Sequence, residues 1–337
     1  MKRIAINGLG RIGRLALREY IHSSCSDFEI VAANDLVDIE NLAYLMKFDS
    51  VHGRARFSVD VESGNRLRLG DMKLPVYSEP DPSKLPWKDL GVDVVLDASG
   101  RFRKHVDASK HLQAGAKRVL ISAPADDPDA TLVYGVNHQD FHPESDRIIS
   151  NASCTTNSLA PPLSVLLKRF GIEKAHATTV HGYTISQTMV DGAKRNMIRG
   201  RAGAINIIPT STGADKATVE VLPELKGKLA AIALRVPVAD GAMTDISVEL
   251  SSDVDAETVN AAFREAADNE LKGVLAYSDE ELVSSDIIGD PHSAIVHGLS
   301  TSVIQNRFVK LHVWYDNEFA YAKRCLDMMN FLMDAGS

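Results

Sequence analysis

One cysteine stands where a helix is expected to begin. The segment Ser150–Asn157 reads SNASCTTN, follows the strand-like run 147–149 and precedes a helical stretch that ends at Phe170. Ser153 is a residue type that caps helix N-termini, which makes Cys154 the first helical residue. The positive end of a helix dipole lowers the pKa of a thiol placed there, so Cys154 is a candidate nucleophile.

The usual role of a free cysteine, that of a small buried hydrophobe, is the alternative for Cys154. The hydroxyl and amide side chains around it argue against this role. Cys25, in an expected loop, and Cys325, in the expected last helix, lack such surroundings and are predicted to be structural. Pro161 and Pro162 are expected to kink the helix after two turns, beyond the turn that matters for Cys154.

A nucleophilic cysteine needs a base close to it, and histidine is a common one. Among the eleven histidines, His181 ends the apolar run 175–180 and opens a long polar loop, 183–206. Long loops in compact domains are usually functional, whereas most of the other histidines are expected at the surface. The sequence therefore favours His181 as the candidate base.

A charged side chain interrupts an apolar strand, because Arg235 lies within LAAIALRVPV, residues 229–238. A charge inside a strand is almost always paired or functional. Arg235 is therefore predicted either to hold an anion or to form a buried salt bridge with an acid such as Asp245.

Two further segments could bind an anion. Arg199 and Arg201 lie in the long loop, where a solvated run of charges is the alternative. The segment 209–213 reads PTSTG and is predicted to be a hydroxyl-rich turn that offers hydroxyl and N–H groups to a phosphate.

The chain opens with a glycine pattern that is typical of dinucleotide binding. Asn7–Gly13 reads NGLGRIG, contains G-x-G-x-x-G and lies between an expected strand and an expected helix. Glycine permits the tight turn, the close approach of a pyrophosphate and the contact of helix with strand, while the helix start offers N–H groups. A plain glycine-rich turn is the alternative.

The end of the second expected strand supplies the acid that this pattern requires. Asn34 and Asp35 end that strand, and Asp35 stands 22 residues after Gly13, where an acid meets the ribose 2′-hydroxyl. Because a carboxylate repels a 2′-phosphate, NAD is favoured over NADP. The predicted cofactor residues of this region are Gly8, Gly10, Arg11, Ile12, Gly13, Asn34 and Asp35.

These side chains need elements that position them. Short apolar runs alternate with helical periodicity over the first 150 residues, which predicts βαβ units in a Rossmann-type, doubly wound parallel sheet. Longer β-rich runs follow and predict an α+β domain with a mixed or antiparallel sheet. We expect an α/β chain in which residues 1–150 and 317–337 form an NAD-binding domain and residues 151–316 form a catalytic domain.

Composition excludes several other classes of function. The 337 residues suit two domains, and the net charge of −8 argues against a general binder of nucleic acid or anionic membrane. Three cysteines do not build a disulfide framework or a cysteine-rich zinc site, and we predict no metal. No apolar stretch is long enough for a membrane span, so the cytoplasm is the expected location.

The motifs together resemble those of the phosphorylating glyceraldehyde-3-phosphate dehydrogenase family, and the likeness runs from end to end. It rests on the segments NGLGRIGR, FDSVHG, SNASCTTN, NIIPTSTGA, LPELKGKL, RVPV and WYDNEF. The resemblance implies oxidation of glyceraldehyde 3-phosphate to 1,3-bisphosphoglycerate with reduction of NAD, in glycolysis or gluconeogenesis. It further implies a thiohemiacetal and a thioester on the cysteine, and a homotetramer whose long loop lies near a neighbour's cofactor site.

The resemblance also implies roles for single residues, with His181 as the base. The site for inorganic phosphate would comprise Ser153, Thr155, Arg199, Thr212 and Gly213. The phosphate of the substrate would be held by Thr184 and Arg235, assisted by Ser186. The cofactor site would further include Ser99, Gly100, Ser122, Asn317 and Tyr321.

The chain departs from the family pattern at some positions, and two other functions stay open. Ser158 stands where many members have a second cysteine, and Gly182 replaces a common alanine. The segment 290–296, DPHSAIV, resembles erythrose-4-phosphate dehydrogenases, whereas PTSTGADKA fits the glyceraldehyde-phosphate enzymes better. The remaining alternative is a non-catalytic NAD-binding module with a regulatory or RNA-binding role, against which the negative charge argues.

Overall fold

The computed structural model describes residues 2–23 and 27–335, so Cys25 lies outside the described residues. The chain separates into two compact units. The first holds the described residues of 1–132, 138–152 and 322–337, and the second holds 133–137 and 153–321. We expected the domain boundaries at residues 150 and 317. In the structure the chain returns to the first unit at Ala322, inside its last helix. No helix in the described ranges is both long and apolar enough to cross a membrane.

The first unit is built on a sheet of nine strands. Its elements are β1 (Lys2–Asn7), α1 (Arg11–His22), β2 (Phe28–Asn34), α2 (Ile39–Lys47), β3 (Val59–Glu62), β4 (Arg66–Leu69), β5 (Met72–Tyr77), β6 (Val94–Asp97), α3 (His105–Gln113), β7 (Arg118–Ile121), β8 (Ala130–Thr131) and β9 (Ile148–Ser150). The strand order is β3-β4-β5-β2-β1-β6-β7-β9-β8. All pairs from β5 to β8 are parallel, and only β3 to β5 run antiparallel. The predicted Rossmann-type sheet is confirmed.

The centre of this sheet places three polar residues side by side. Asn7 at the end of β1 is in register with Asn34 on β2 and with Asp97 on β6. The strand interiors behind them are apolar and fully buried, as expected for parallel strands that are covered on both faces. β2 lies on one side of β1 and β6 on the other, so the order of the strands switches direction at β1. In sheets of this kind, ligands bind outside the carboxyl ends of the strands at the switch point.

The second unit contains a sheet of eight strands. The sheet is mixed, which confirms the predicted type. The elements that follow β9 are α4 (Cys154–Phe170), β10 (Ile172–Gly182), β11 (Ile208–Ser211), α5 (Ala214–Val221), β12 (Leu229–Val236), β13 (Ala242–Leu250), α6 (Ala256–Asp268), β14 (Leu275–Ser278), β15 (Ala294–His297), β16 (Ser302–Ile304), β17 (Phe308–Tyr315) and α7 (Phe319–Asp334). The strand order is β11-β12-β10-β13-β17-β15-β14, with β16 on β17.

Helix α4 lies on this sheet and carries the cysteine at its start. It contacts β13, β15 and β17, and burial alternates along β13 because only one face of that strand is covered. We expected Pro161 and Pro162 to kink α4; the helix continues past both prolines as one element to Phe170. Gly171 then ends it with a φ of 72°, in the left-handed region that favours glycine.

Candidate active site

Cys154 is the first residue of α4, as the sequence predicts. The Ser153 hydroxyl oxygen caps the helix by accepting from the Thr156 N–H over 3.0 Å. Ala152, just before the cap, has a φ of 54°, and such backbone strain in a residue other than glycine concentrates at functional sites. The Cys154 sulfur lies 3.6 Å from Nε2 of His181. The structure therefore brings together the predicted nucleophile and the predicted base.

The surroundings of the two groups shift their pKa values so that, without a ligand, the proton stays on the sulfur and the imidazole is neutral. Burial lowers the pKa of His181 to about 3, and the charge of Arg235 acts in the same direction, so the imidazole is neutral at neutral pH. Burial raises the pKa of Cys154, although the charge of Arg235 and hydrogen bonds with Thr155 oppose this. The expectation that the helix dipole lowers the thiol pKa is therefore wrong. Loss of water around the sulfur raises this pKa by more than the nearby charges lower it.

Arg235 lies opposite His181 in the parallel pair of β12 and β10. Its Nη1 is 2.9 Å from His181 Nδ1 and 2.9 Å from the Gly182 carbonyl oxygen. Among the described residues Arg235 forms no salt bridge, and Asp245 pairs with Lys310 instead. The alternative of a structural Arg235–Asp245 pair is therefore wrong, because Asp245 on β13 forms its ion pair with Lys310 on the neighbouring strand β17.

Tyr315 supports the cysteine and the histidine from β17, and the sequence prediction missed it. Its hydroxyl lies 3.1 Å from the Thr155 hydroxyl and 2.8 Å from that of Thr179, and its ring meets His181 edge-on at 6.1 Å between centroids. Thr155, predicted as a phosphate ligand, thus has its side-chain hydroxyl beside Tyr315. Tyr315 stands within WYDNEF, but only the pairing of β13 with β17 brings it here.

The loop after β10 brings a second arginine to a group of hydroxyls. Thr184 and Ser186 lie 2.8 Å apart through their side-chain oxygens. Arg199 reaches Ser186 at 3.4 Å and donates from Nε to the Thr210 hydroxyl over 3.1 Å. Arg199 thus touches the Thr184–Ser186 pair on one side and β11 on the other, a place where an anion could bind between hydroxyls and guanidinium.

The segment 209–213 and Arg201, which were predicted to bind an anion, differ from that prediction in part. Residues 209–211 belong to strand β11, so only Thr212 and Gly213 form the turn that was predicted over 209–213; antiparallel pairing with β12 extends the strand. The Thr212 hydroxyl accepts from the Ala214 N–H over 3.1 Å, and Gly213 is the N-cap residue just before α5. Arg201 is exposed and pairs with Asp191 at 2.9 Å. This agrees with the alternative interpretation of Arg201, that of a charge solvated at the surface.

The glycine turn of the first unit is shaped for close approaches of the backbone. A Cβ on Gly8 would lie 2.6 Å from the Ser99 nitrogen, and one on Gly13 would lie 2.0 Å from the Gly8 oxygen. A Cβ on Gly10 would meet nothing nearer than 4.0 Å. No contact with the described residues therefore requires glycine at position 10, and the open space there fits a ligand that approaches the backbone.

A cavity of about 210 Å³ opens in front of this turn. Predicted cofactor residues that line it are Gly8, Gly10, Asn34, Asp35 and Ser99. The other predicted cofactor residues of the first unit do not line it: Ile12 and Gly13 lie in the first turn of α1, Gly100 and Ser122 follow β6 and β7, and the Arg11 side chain pairs with Asp49.

Two predicted cofactor residues belong to the second unit, namely Asn317 and Tyr321. The Asn317 side chain is buried, and its carbonyl oxygen has no hydrogen-bond partner among the described residues. A buried polar atom without a partner is costly unless a ligand satisfies it. The residue type and its state therefore fit a carboxamide such as that of nicotinamide.

A buried polar network underlies the cavity, and the sequence prediction missed it. Trp87 donates to His111 Nδ1 over 3.0 Å, so His111 carries its proton on Nε2, which lies 3.1 Å from Asp97. Asp97 also accepts from the Asn7 amide over 2.9 Å and from the Ser99 hydroxyl over 2.7 Å. The network thus fixes Ser99, a residue of the cavity wall.

Two protein-family models match this chain. The model of the NAD binding domain of glyceraldehyde 3-phosphate dehydrogenase matches residues 2–105, and the model of the C-terminal domain of the same enzyme matches residues 153–317. The matched ranges include the glycine turn and the group around Cys154.

Individual relatives match over nearly the whole chain. Glyceraldehyde-3-phosphate dehydrogenase of Geobacillus stearothermophilus is 48% identical over 334 residues, covering 99% of both chains. That of Chlamydia pneumoniae is 49% identical over 331 residues and 98% of both chains, and glyceraldehyde-3-phosphate dehydrogenase 1 of Bacillus cereus is 47% identical over 100% of both. The chain therefore belongs to the glyceraldehyde-3-phosphate dehydrogenase family.

Proposed function

We propose that this chain is an NAD-dependent oxidoreductase that oxidises glyceraldehyde 3-phosphate and joins the product to inorganic phosphate as 1,3-bisphosphoglycerate. The observation that carries the proposal is the 3.6 Å contact between the Cys154 sulfur and His181 Nε2, beside two arginines on a protein of net charge −8. Its relatives carry the name of this activity over their full length.

The cysteine and the histidine divide the chemistry of the aldehyde between them. Cys154 forms a bond from sulfur to the aldehyde carbon after its proton has passed to His181, giving a thiohemiacetal. The protonated imidazole and the Cys154 N–H at the start of α4 then stabilise the oxyanion. Bound NAD would supply the acceptor for the hydride that leaves the carbon. The sulfur then carries a thioester, which inorganic phosphate attacks, and Cys154 is regenerated.

Both anions need separate positive sites. We assign the phosphate of the substrate to Arg235 and Thr184, with Ser186 assisting, because Arg235 contacts the catalytic histidine and the two hydroxyls contact each other in the loop that follows it. Inorganic phosphate is assigned to Arg199, Thr212, Gly213, Ser153 and Thr155. The guanidinium of arginine suits phosphate because it offers paired N–H donors. The contact of Arg199 with Ser186 supports two neighbouring anion sites rather than one.

The residues of the glycine turn fit NAD. Gly8, Gly10 and Gly13 would hold the pyrophosphate, Asp35 the adenosine ribose, and Asn317 the nicotinamide carboxamide. Support comes from the open space at Gly10, the cavity beside Asp35 and the unsatisfied oxygen of Asn317.

We also infer a homotetramer in the cytoplasm, as in the family. Support for assembly comes from the loop 183–207, whose apolar side chains are strongly exposed: Ile185, Met189, Val190, Met197 and Ile205. Large apolar groups clustered on one segment are typical of surfaces that another chain covers. Sedimentation of the purified chain tests this, and a monomer would contradict it.

The decisive experiment measures NADH formation from glyceraldehyde 3-phosphate with and without inorganic phosphate, and from erythrose 4-phosphate in parallel. We expect efficient, phosphate-dependent turnover of glyceraldehyde 3-phosphate alone. Preference for erythrose 4-phosphate, or turnover that does not need phosphate, would overturn the assignment. Cys154→Ser should abolish turnover and leave NAD binding intact, and substantial remaining activity would exclude Cys154 as the nucleophile.

A further inference from the structure

We propose that Asp316 is a positioning residue for the cofactor site: its carboxylate ties the start of α7 to the segment around Gly289 and so holds Asn317 where its amide can meet a nicotinamide carboxamide. The proposal rests on the function proposed above, because it adds a supporting group to the site assigned to Asn317. Asp316, Asn317 and Gly289 all belong to the second unit.

Asp316 lies in the short junction 316–318 between β17 and α7, and its carboxylate uses both of its oxygens. Oδ1 accepts from the backbone N–H groups of Glu318 over 2.8 Å and of Phe319 over 2.7 Å. Oδ2 accepts from the Gly289 N–H over 2.7 Å. One buried side chain therefore fixes the junction from two sides, along its own segment and across to a separate one.

The segment that meets Oδ2 is itself held in place. Ile287 is buried, and its carbonyl oxygen accepts from the Asp290 N–H over 3.0 Å, which closes a turn around Gly289. Gly289 has a φ of 87°, in the left-handed region that favours glycine. Because this turn is closed and anchored by an apolar residue, the Gly289 N–H is a fixed donor that sets the position of the Asp316 carboxylate.

Asn317 is the residue that these bonds enclose. It lies between Asp316 and the N–H groups of Glu318 and Phe319, so the backbone that carries its side chain cannot turn without breaking them. Its side-chain oxygen is buried and has no hydrogen-bond partner among the described residues. A carboxamide N–H would have to approach that oxygen in a suitable direction, because hydrogen bonds weaken steeply with angle. The backbone position at Asn317 therefore decides whether the contact forms.

Capping of α7 does not by itself explain an aspartate at position 316. Asparagine caps helices about as well as aspartate does. The charge is also costly here, since burial and the charge of Asp240 raise the pKa of Asp316 to about 7. A carboxylate, however, accepts with both oxygens, whereas an amide nitrogen in place of Oδ2 would face the Gly289 N–H as a second donor. The bond with Gly289 is therefore the property that asparagine lacks.

The test compares ligand binding to the wild type and to Asp316→Asn, measured by calorimetry at pH 8, where most of the wild-type carboxylate is ionised. NAD and NADH carry the carboxamide, whereas ADP-ribose lacks the nicotinamide ring. We expect the Kd for NAD and for NADH to rise about tenfold, the order of one hydrogen bond to a charged group, and the Kd for ADP-ribose to change less than about twofold.

Two other patterns would overturn the proposal. Equal changes for all three ligands, including no change, would mean that Asp316 has a structural role only. A loss confined to NAD, whose ring is cationic, would mean that Asp316 acts by its charge and not by placing Asn317.

A double-mutant cycle with Asn317→Ala shows whether Asp316 acts through Asn317. If it does, Asp316→Asn should change the Kd for NAD less than about twofold when residue 317 is already alanine, and a tenfold rise in both backgrounds would overturn the proposal. Asp255→Asn is the matched control, because Asp255 caps α6 in the same unit by accepting from the Thr258 N–H over 2.7 Å. It should leave all three affinities unchanged, and a selective loss of NAD and NADH there would overturn the proposal.

If Asp316→Asn does not fold, hydrogen exchange of the wild type carries the test. NAD should slow exchange of the peptide that contains Gly289 more than ADP-ribose does, since fixing Asn317 stabilises the bond from Gly289 to Asp316. Equal protection by the two ligands would overturn the proposal. None of these measurements needs turnover. A wild type that does not bind NAD would refute the proposed function, whereas a wild type that binds NAD, with unchanged ligand selectivity in Asp316→Asn, would refute only the role of Asp316.

Discussion

The backbone N–H of Leu9, at the tip of the glycine turn, donates to the Asp35 carboxylate over 2.7 Å. The other carboxylate oxygen accepts from the Val37 N–H over 2.9 Å. Asp35 therefore ties the turn to the end of β2 at the same time as it lines the cavity. One side chain has two tasks: its charge acts on the ligand, and its oxygen atoms hold the turn in shape.

Asp35→Asn separates these tasks, because asparagine keeps one acceptor oxygen and loses the charge. We expect the ratio of kcat/KM for NADP to that for NAD to rise about tenfold, which corresponds to about 1.4 kcal/mol. The free energy of unfolding should change by less than about 1 kcal/mol. Asp35→Ala should relax the preference equally and cost about 1–2 kcal/mol more in stability, since Leu9 loses its acceptor. An unchanged preference in both variants would contradict the role of the charge.

His111 is predicted to act on NAD binding through Asp97. His111→Phe fills the same space but leaves the Asp97 carboxylate and the Trp87 indole N–H without their partner. We expect a loss of about 2–4 kcal/mol in the free energy of unfolding, measured with urea, since a buried charge loses a donor. The Kd for NAD, measured well below the unfolding transition, should also rise because Asp97 holds Ser99.

His111→Gln is the control for this prediction. A glutamine amide can donate toward Asp97 and accept from Trp87, so it should restore most of the NAD affinity. If both variants lose stability equally and neither changes the Kd for NAD, His111 is a structural residue only.

The features that the sequence could predict are local along the chain. The glycine turn and the capped start of α4 each depend on fewer than ten consecutive residues, so their residue types alone indicate the geometry. His181 and Arg235 could be recognised one by one because each marks an anomaly in an apolar strand. That they lie opposite each other follows from the parallel pairing of β10 with β12, which no local pattern encodes.

The missed features all depend on distant pairings. Tyr315 reaches Thr155 across 160 positions of the chain, and His111 reaches Asn7 across 104. The predicted direction of the Cys154 pKa was wrong for a related reason, because the helix dipole is visible in sequence while burial of the thiol is not. Burial depends on what the second sheet and its helices place around the sulfur.

Gly182→Ala is predicted to impair catalysis. In this chain a Cβ there would lie 2.8 Å from the Val238 carbonyl oxygen, which already accepts from the Tyr183 N–H. The backbone must shift, and the Gly182 carbonyl that orients His181 shifts with it. We expect kcat to fall about tenfold, in keeping with the sensitivity of rate to small misplacements, at an unchanged Kd for NAD. A variant with wild-type kcat would show that the strand adapts without moving the histidine.

The buried neutral His181 should make stability depend on pH in a predictable direction. Its pKa is lowered to about 3 in the folded chain, chiefly by burial, against an ordinary value of 6.5. A group with a lowered pKa in the folded state binds fewer protons there than in the unfolded state between these values, so stability is lost as pH falls through that range. From pH 7.5 to pH 5 the loss attributable to this residue should be about 2 kcal/mol.

The comparison with His181→Asn isolates this contribution, because asparagine does not titrate. Urea unfolding of both proteins at the two pH values should show the wild type losing about 2 kcal/mol more than the variant. Other titrating groups contribute equally to both proteins and cancel in the difference. Equal losses would mean that folded His181 is already protonated at pH 5.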